Sequence, residues 1–357
     1  MVCTEMKKIL VIRNDKIGDF MLAWPSFAML KLSMPQCRIT ALVPQYTVQL
    51  AKLCPWIDDV IVDYTANADK SQKKALVAEI KSRNFDASIN LFSTTYNALL
   101  VWKAGIKYRL APATKFAQVF YNRRIKQRRS LSEKAEYQYN LDLIRAFLSD
   151  QSIPVVEPQA PYLSFPKDEL AQQKQKLTNL LHLDQNKPWL FVHAGTGGSA
   201  NNLTLEQYAT MLVGLDYGHE LIITAGPGEE EKAQQLLELV NNGNGNGNGN
   251  GNGNGVVYSK NDGLIDFTRS IACASLFIAG STGPLHIAAA IDVPTVGFFP
   301  SKRSSTPLRW LPLNSDGRHL AFCPPKGGGA EQEADMSRIS VDTTLEKLNP
   351  WAYQYLS

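Results

Sequence analysis

The sequence predicts an α/β protein made of two doubly wound parallel sheets. Three observations lead there. Its apolar runs are short, β-branched and nearly continuous, as in strands buried on both faces. Helical segments lie between those runs, and the same alternation begins again after a proline-rich join. The 357 residues, 44% hydrophobic and 20% charged, also exceed the roughly 250–300 residues at which a single core stops growing.

Taken in order, the first-half strand candidates are KILVIR (8–13), RITALVP (38–44), DVIVDY (59–64) and DASINLF (86–92). Those of the second half are WLFVHAG (189–195), HELIITAG (219–226), GVVYS (255–259), SLFIAG (275–280) and PTVGFFP (294–300). Helical patterns such as TLEQYATMLVGL (204–215) and EEEKAQQLLELV (229–240) separate them. Four prolines in IPVVEPQAPYLSFPKDEL (153–170) suit an extended interdomain segment. The expected domains are therefore 1–160 and 161–335, with a closing segment 336–357. The Asn-Gly repeat at 241–255 has no alternating strands beside it. It reads as a surface loop, tolerated because long loops cost little closure entropy.

Bulk properties exclude several classes. A net charge of +4 and a pI of about 8.6 fall short of the concentrated basic stripe of a nucleic-acid-binding domain, so no nucleic acid is expected as a partner. Five cysteines lack metal-ligand spacing, which favours reduced thiols. No signal peptide is evident in MVCTEMKKIL, and no stretch reaches the ~18 apolar residues of a membrane span. The cytosol is the expected address, with peripheral membrane contact left open.

Candidate chemistry collects where strands end. In FIAGSTGPLHIAAAIDVPTVGFFP (277–300), Ser281 and Thr282 are N-cap formers and Pro284 suits a first helical turn. The free amides of such a helix start favour a phosphate or diphosphate, although a plain capped helix would read the same way. His286 follows and reads as a packed or capping residue. In VHAGTGGSANNLTLEQYATML (192–212), Gly195, Thr196, Gly197 and Gly198 would let the backbone approach a ligand, and Thr204 with Gln207 forms a capping box. In TAGPGEEEKAQ (224–234), carboxylates sit at a helix start, where the dipole favours them and where one could also accept from ribose hydroxyls.

The first strand opens into RNDKIGDFMLAWP (13–25), with Arg13, Asp15, Lys16 and Asp19 at its mouth. The G-x-G-x-x-G dinucleotide fingerprint is absent, and so is a Walker lysine loop. What remains is Asp19 just past Gly18. It is either a helix-capping aspartate or a general base opposite an activated phosphate ester, with Arg13 and Lys16 neutralising charge nearby.

Together these stretches resemble the ADP-heptose lipopolysaccharide heptosyltransferases (glycosyltransferase family 9), which have the GT-B fold. The resemblance rests on ILVIRNDKIGDFMLAWP, on FVHAGTGGSANNL and above all on AGSTGPLHIAAAIDVPTVGFFP, and runs from Lys8 to about Pro300. It implies two Rossmann-like domains facing across a cleft. It also implies inverting transfer, without metal or cofactor, of a heptose from ADP-L-glycero-D-manno-heptose to an inner-core lipopolysaccharide acceptor. Asp19 then corresponds to the base, Ser281, Thr282 and Gly283 to the donor-diphosphate turn, Thr196 to a second phosphate contact, and Glu229 to the ribose carboxylate. The closing segment is expected against the first domain.

One departure is visible. Where many members of the family carry a lysine and an aromatic residue, this chain has Asn201 and Asn202. Lys16, Arg13, Lys302 or Arg303 would then balance the leaving group. The segment KFAQVFYNRRIKQRRS (115–130) holds six cations, no acid and three aromatics. Arg123, Arg124, Arg128 and Arg129 are its candidates for an anionic glycolipid acceptor or the inner face of the inner membrane, against the alternative of a solvated face. A transferase using another ADP- or UDP-sugar, and a non-catalytic sugar-nucleotide-binding protein, stay open as alternative readings.

Overall fold

Six strands build the first sheet: β1 (Lys8–Ile12), β2 (Arg38–Pro44), β3 (Asp59–Asp63), β4 (Ala87–Asn90), β5 (Tyr108–Pro112) and β6 (Arg123–Ile125). The computed structural model describes residues 7–65, 67–114, 116–198, 201–215, 217–244 and 255–357. It orders these strands β3-β2-β1-β4-β5-β6, every pair parallel. β1 is central: Ile9 pairs with Ile39 on one side and Ala87 on the other. Its residues Ile9 to Ile12 are fully buried, which is why the run is apolar throughout rather than alternating.

The second sheet comprises β7 (Trp189–His193), β8 (Glu220–Thr224), β9 (Val256–Tyr258), β10 (Leu276–Gly280), β11 (Thr295–Phe298) and β12 (His319–Phe322). Its order is β12-β11-β10-β7-β8-β9, again all parallel. Counted from its own first strand, this is the same Rossmann order as the first sheet. The winding direction reverses between β1 and β4 in one sheet and between β7 and β10 in the other. The loops leaving those strands diverge and open a crevice at the carboxyl ends.

The chain divides into two units, Met1–Tyr162 and Leu163–Ser357. All nine strand candidates are strands, and β5, β6 and β12 are additional. β6 is an edge strand reading RRI, and β12 is an edge strand buried only in part, so neither shows the continuous apolar run of a central strand. The closing segment differs from expectation. Its helix, Val341–Leu356, places Leu348, Ala352 and Leu356 in the core of the second unit, with Tyr208, Leu212 and Phe298. Of the Asn-Gly repeat, the first residues extend the helix Glu230–Asn244, and 245–254 lie outside the described residues.

Candidate active site

At the mouth of β1 the sequence places an arginine in the interior. Arg13 is only 2% exposed, and burying a lone guanidinium would be prohibitive. Three carboxylates compensate. Its Nε donates to Asp15 Oδ1 at 2.9 Å, its Nη2 to Asp19 Oδ1 at 2.7 Å and its Nη1 to Glu136 Oε1 at 3.0 Å. Burial alone would favour loss of its proton, but the three carboxylates outweigh that and hold the guanidinium charged. Arg129 also donates to Glu136 Oε1, at 2.7 Å. Asn140 accepts from Arg13 at 3.3 Å and donates to the carbonyl of Leu22 at 3.2 Å.

This network settles how Asp19 is held. The short helix Ile17–Met21 has Lys16 as its N-cap, and Asp19 lies in its first turn, not at the cap. One carboxylate oxygen is fixed by Arg13, and the side chain keeps 15% exposure. It is thus immobilised by a charge-assisted bond yet open to solvent. Asp15 shares the same guanidinium and lies near Asp19. Burial, opposed by Arg13 and reinforced by Asp19, raises its carboxyl to about 6.

In the second unit the turn after β7 is built on glycine. Gly197 and Gly198 adopt φ of +54° and +71°, conformations that favour glycine. Thr196 Oγ1 accepts from the Gly198 amide at 3.2 Å. Glu229 reaches this turn from the loop after β8. Its Oε1 accepts from the Gly197 amide at 2.7 Å and its Oε2 from the Gly226 amide at 3.1 Å, with His193 Nε2 at 3.5 Å. A Cβ on Gly195 would stand 2.0 Å from Glu229 Oε2, so any larger residue there would displace the Glu229 carboxylate from its amide bonds. Burial opposes the Glu229 charge, but the amide bonds and His193 outweigh it and hold the carboxyl below its ordinary value. Glu229 is therefore a tie between the two turns, a role the sequence did not show.

Asn202 is a second such tie. Its Nδ2 donates to the carbonyl of Ala194 at 3.0 Å, and its Oδ1 accepts from the Leu203 amide and the Tyr208 hydroxyl. A Cβ on Gly280 would lie 2.6 Å from that oxygen, so Asn202 packs between the exits of β7 and β10. Asn201 Nδ2 donates to the carbonyl of Ala334 at 2.8 Å. Both asparagines are engaged with the protein itself.

After β10 the helix Gly283–Ala290 begins at Thr282, whose side chain makes no capping bond and whose Oγ1 donates to the carbonyl of Gly280 at 3.3 Å. Ser281 lies between, its amide donating to the Phe298 carbonyl at 3.0 Å. His286 is 2% exposed. Burial pushes it down to about 3, so it is a neutral packed residue.

Lys302 and Arg303 are exposed on the turn after β11. The arginine candidates divide. Arg124 and Arg128 are exposed, whereas Arg123 pairs with Asp150 through two bonds of 2.6 and 3.0 Å and Arg129 is committed to Glu136. Half of the expected basic face is thus spent on ion pairs.

Comparison with known proteins places this geometry. Residues 74–322 match glycosyltransferase family 9 (heptosyltransferase). A Haemophilus influenzae protein named as a candidate glycosyltransferase is 53% identical over 346 residues, covering 96% of each chain. Lipopolysaccharide heptosyltransferase 2 of Escherichia coli K12 is 22% identical over 96% of this chain and 97% of its own. Among solved structures, the family 9 glycosyltransferase of Veillonella parvula superposes with a TM-score of 0.77 at 16% identity, over 98% and 97% of the two chains. An E. coli heptosyltransferase with ADP gives 0.69 at 19% identity, over 97% and 100%.

Two expectations follow from the geometry. Gly195→Ala should lower the melting temperature, and the loss should shrink in a Glu229→Ala background, because the clash partner is gone; equal losses in both backgrounds would contradict the tie. Asp15 has a folded-state value of about 6 against 3.8 for the free side chain. The native state therefore retains its proton where the unfolded chain has lost it. Its contribution to stability is fully present below about pH 4 and is lost as pH rises through about 6. Urea titrations at pH 4, 5 and 6.5 should show a declining component that Asp15→Asn removes; identical pH slopes in the two proteins would contradict it.

Proposed function

Because the chain belongs to glycosyltransferase family 9, we propose that this glycosyltransferase inverts the anomeric centre of a nucleotide-activated heptose, without metal, and delivers it to a lipopolysaccharide inner-core acceptor. Asp19 takes the proton from the acceptor hydroxyl as its oxygen bonds to the anomeric carbon. The bond from that carbon to the donor diphosphate breaks, and the charge leaves with the diphosphate. The observation that carries the reading is Asp19 itself, held by Arg13 at the switch point of its sheet while one carboxylate oxygen stays clear of the guanidinium. General-base assistance of this kind contributes about 10²–10⁴-fold.

The donor is assigned to the second unit's turns: Thr196 and the Ser281–Thr282–Gly283 turn toward the diphosphate, Glu229 toward the ribose. ADP as the nucleotide is supported by the related heptosyltransferase that carries it. A different ADP- or UDP-sugar is the second reading, favoured by Asn201 and Asn202, which are hydrogen-bonded within the protein and bring no positive charge. Lys16, Lys302 and Arg303 are the candidates to balance the leaving group; Arg13, buried and bonded to three carboxylates, drops out of the expected set.

An anionic glycolipid acceptor places the enzyme on the inner face of the inner membrane as a peripheral protein. No helix among the described residues is long and apolar enough to cross a membrane. From Ala87 to Ser132 the chain has nine Lys or Arg and no Asp or Glu. Within it Phe116, Val119 and Trp102 are 71, 56 and 51% exposed. The Phe120 ring lies 6.2 Å from that of Phe116 and 5.6 Å from that of Trp102, which joins them into one apolar platform. Basic residues contribute about 1 kcal/mol each at an anionic surface, and tryptophan prefers the interface.

Asp19→Asn should reduce transfer by at least 10²-fold while ADP affinity, measured by calorimetry beside UDP and GDP, stays within about 3-fold. Comparable turnover in the variant would remove Asp19 from the base role, and preference for UDP would favour the second reading. In liposome sedimentation, Arg124→Gln with Arg128→Gln and Phe116→Ala should each weaken binding to anionic vesicles, whereas Arg123→Gln should matter least; unchanged binding in all of them would defeat the membrane assignment.

A further inference from the structure

Resting on the reading of Asp19 as the base, we propose that Tyr46 and Phe92 bracket the acceptor's reacting sugar, and that this ring is an uncharged one. Six large aromatic residues among those described are more than a third exposed: Tyr46, Tyr64, Phe92, Trp102, Phe116 and Tyr353. Three of them sit at the mouth of the first sheet. Tyr64 directly follows β3, Tyr46 lies just past β2, and Phe92 lies just past β4. In the strand order, β2 and β4 flank β1, whose exit carries Arg13, Asp15 and Asp19.

Both flanking rings are tied to that cluster. The Tyr46 hydroxyl donates to the backbone carbonyl of Asp15, so a side chain that is 54% exposed is nonetheless fixed in place. The Arg13 guanidinium carbon lies 5.8 Å from the centroid of the Phe92 ring, and Phe92 is 36% exposed. Two strand spacings put β2 and β4 about 10 Å apart with the turn after β1 between them, so a monosaccharide seated on that turn would have one ring on each side. Aromatic faces pack against the C–H face of a sugar while carboxylates take its hydroxyls. That is the arrangement here, with Asp19 as the carboxylate.

Charge decides the class of sugar. Around this mouth stand Asp15, Asp19, Asp63 and Glu136. Arg13 and Arg129 are already bonded to carboxylates, which leaves Lys16 as the exposed cation of the turn. Four carboxylates against Arg13, Arg129 and Lys16 leave the mouth net negative, which disfavours a sugar acid or sugar phosphate, whereas a neutral ring meets hydrogen-bonding groups and aromatic faces. The glycolipid's own negative charge then belongs to other parts of the acceptor.

The test combines binding with kinetics on the full-length protein. Saturation-transfer NMR with methyl α-mannopyranoside and methyl glucuronopyranoside as probes should show contact for the neutral glycoside and none for the acid. Tyr46→Ala and Phe92→Ala should each weaken the neutral probe and raise the acceptor KM about 3–10-fold, with the donor KM and acceptor-independent donor hydrolysis unchanged. Tyr46→Phe keeps the ring but loses its anchor and should raise the acceptor KM less than Tyr46→Ala does, which separates stacking from mere support of Asp15; equal effects of the two variants would contradict stacking. Equal contact for the acid, or variants that leave both probe and acceptor KM unmoved, would overturn the proposal. Absence of transfer by the wild-type protein with any donor would instead overturn the reading on which it rests.

Discussion

The buried guanidinium of Arg13 is the constraint on which the first unit's site depends. One charge in the interior holds three carboxylates drawn from two places in the chain, Asp15 and Asp19 beside it and Glu136 far along. Removing one partner of a buried pair typically costs about 3–5 kcal/mol, because the other charge is left uncompensated. The same bonds that make Arg13 tolerable inside the protein therefore fix the direction of Asp19. A general base needs that fixity, since a freely rotating carboxylate would lose much of the proximity advantage that catalysis draws on.

The second unit reaches a comparable preorganisation by other means. Its crevice is shaped by glycine backbone, and Glu229 and Asn202 lock that backbone from the side. Glycines 195 and 280 owe their place to their closeness to those two side chains and not to torsion. Two sheets of one topology thus end in contrasting turns: a carboxylate cluster around a buried cation in the first, and a glycine backbone braced by a glutamate and an asparagine in the second.

Much of this was legible in the sequence, for a physical reason. Central strands of a doubly wound sheet are buried on both faces, so KILVI, RITALVP, WLFVH and LFIAG declare themselves as unbroken apolar runs. Edge position alone does not hide a strand, since the edges DVIVD and VVY were legible; the doubly cationic RRI and the half-buried HLAF escaped. Asp19 could be singled out from the charges at the first strand's mouth, but its bond to Arg13 Nη2 is a contact no spacing rule encodes. Glu229 was read as a carboxylate for a ligand; its bond to the Gly197 amide, 32 residues earlier, could not be read from the sequence. The arginines of 123–129 looked alike in sequence, and only the placement of Asp150 and Glu136 distinguishes the paired from the exposed.

The helix Val341–Leu356 has a consequence for how the molecule assembles. Every element of the first unit precedes residue 163, so that unit can complete its interior while later residues are still being synthesised. The second cannot, because Leu348, Ala352 and Leu356 form part of its core. Until the chain through Leu356 has cleared the ribosome, the apolar surface around Tyr208 and Phe298 lacks its cover. Birth of the two halves is therefore staggered, and the second half is the one whose apolar surface waits longest for its cover.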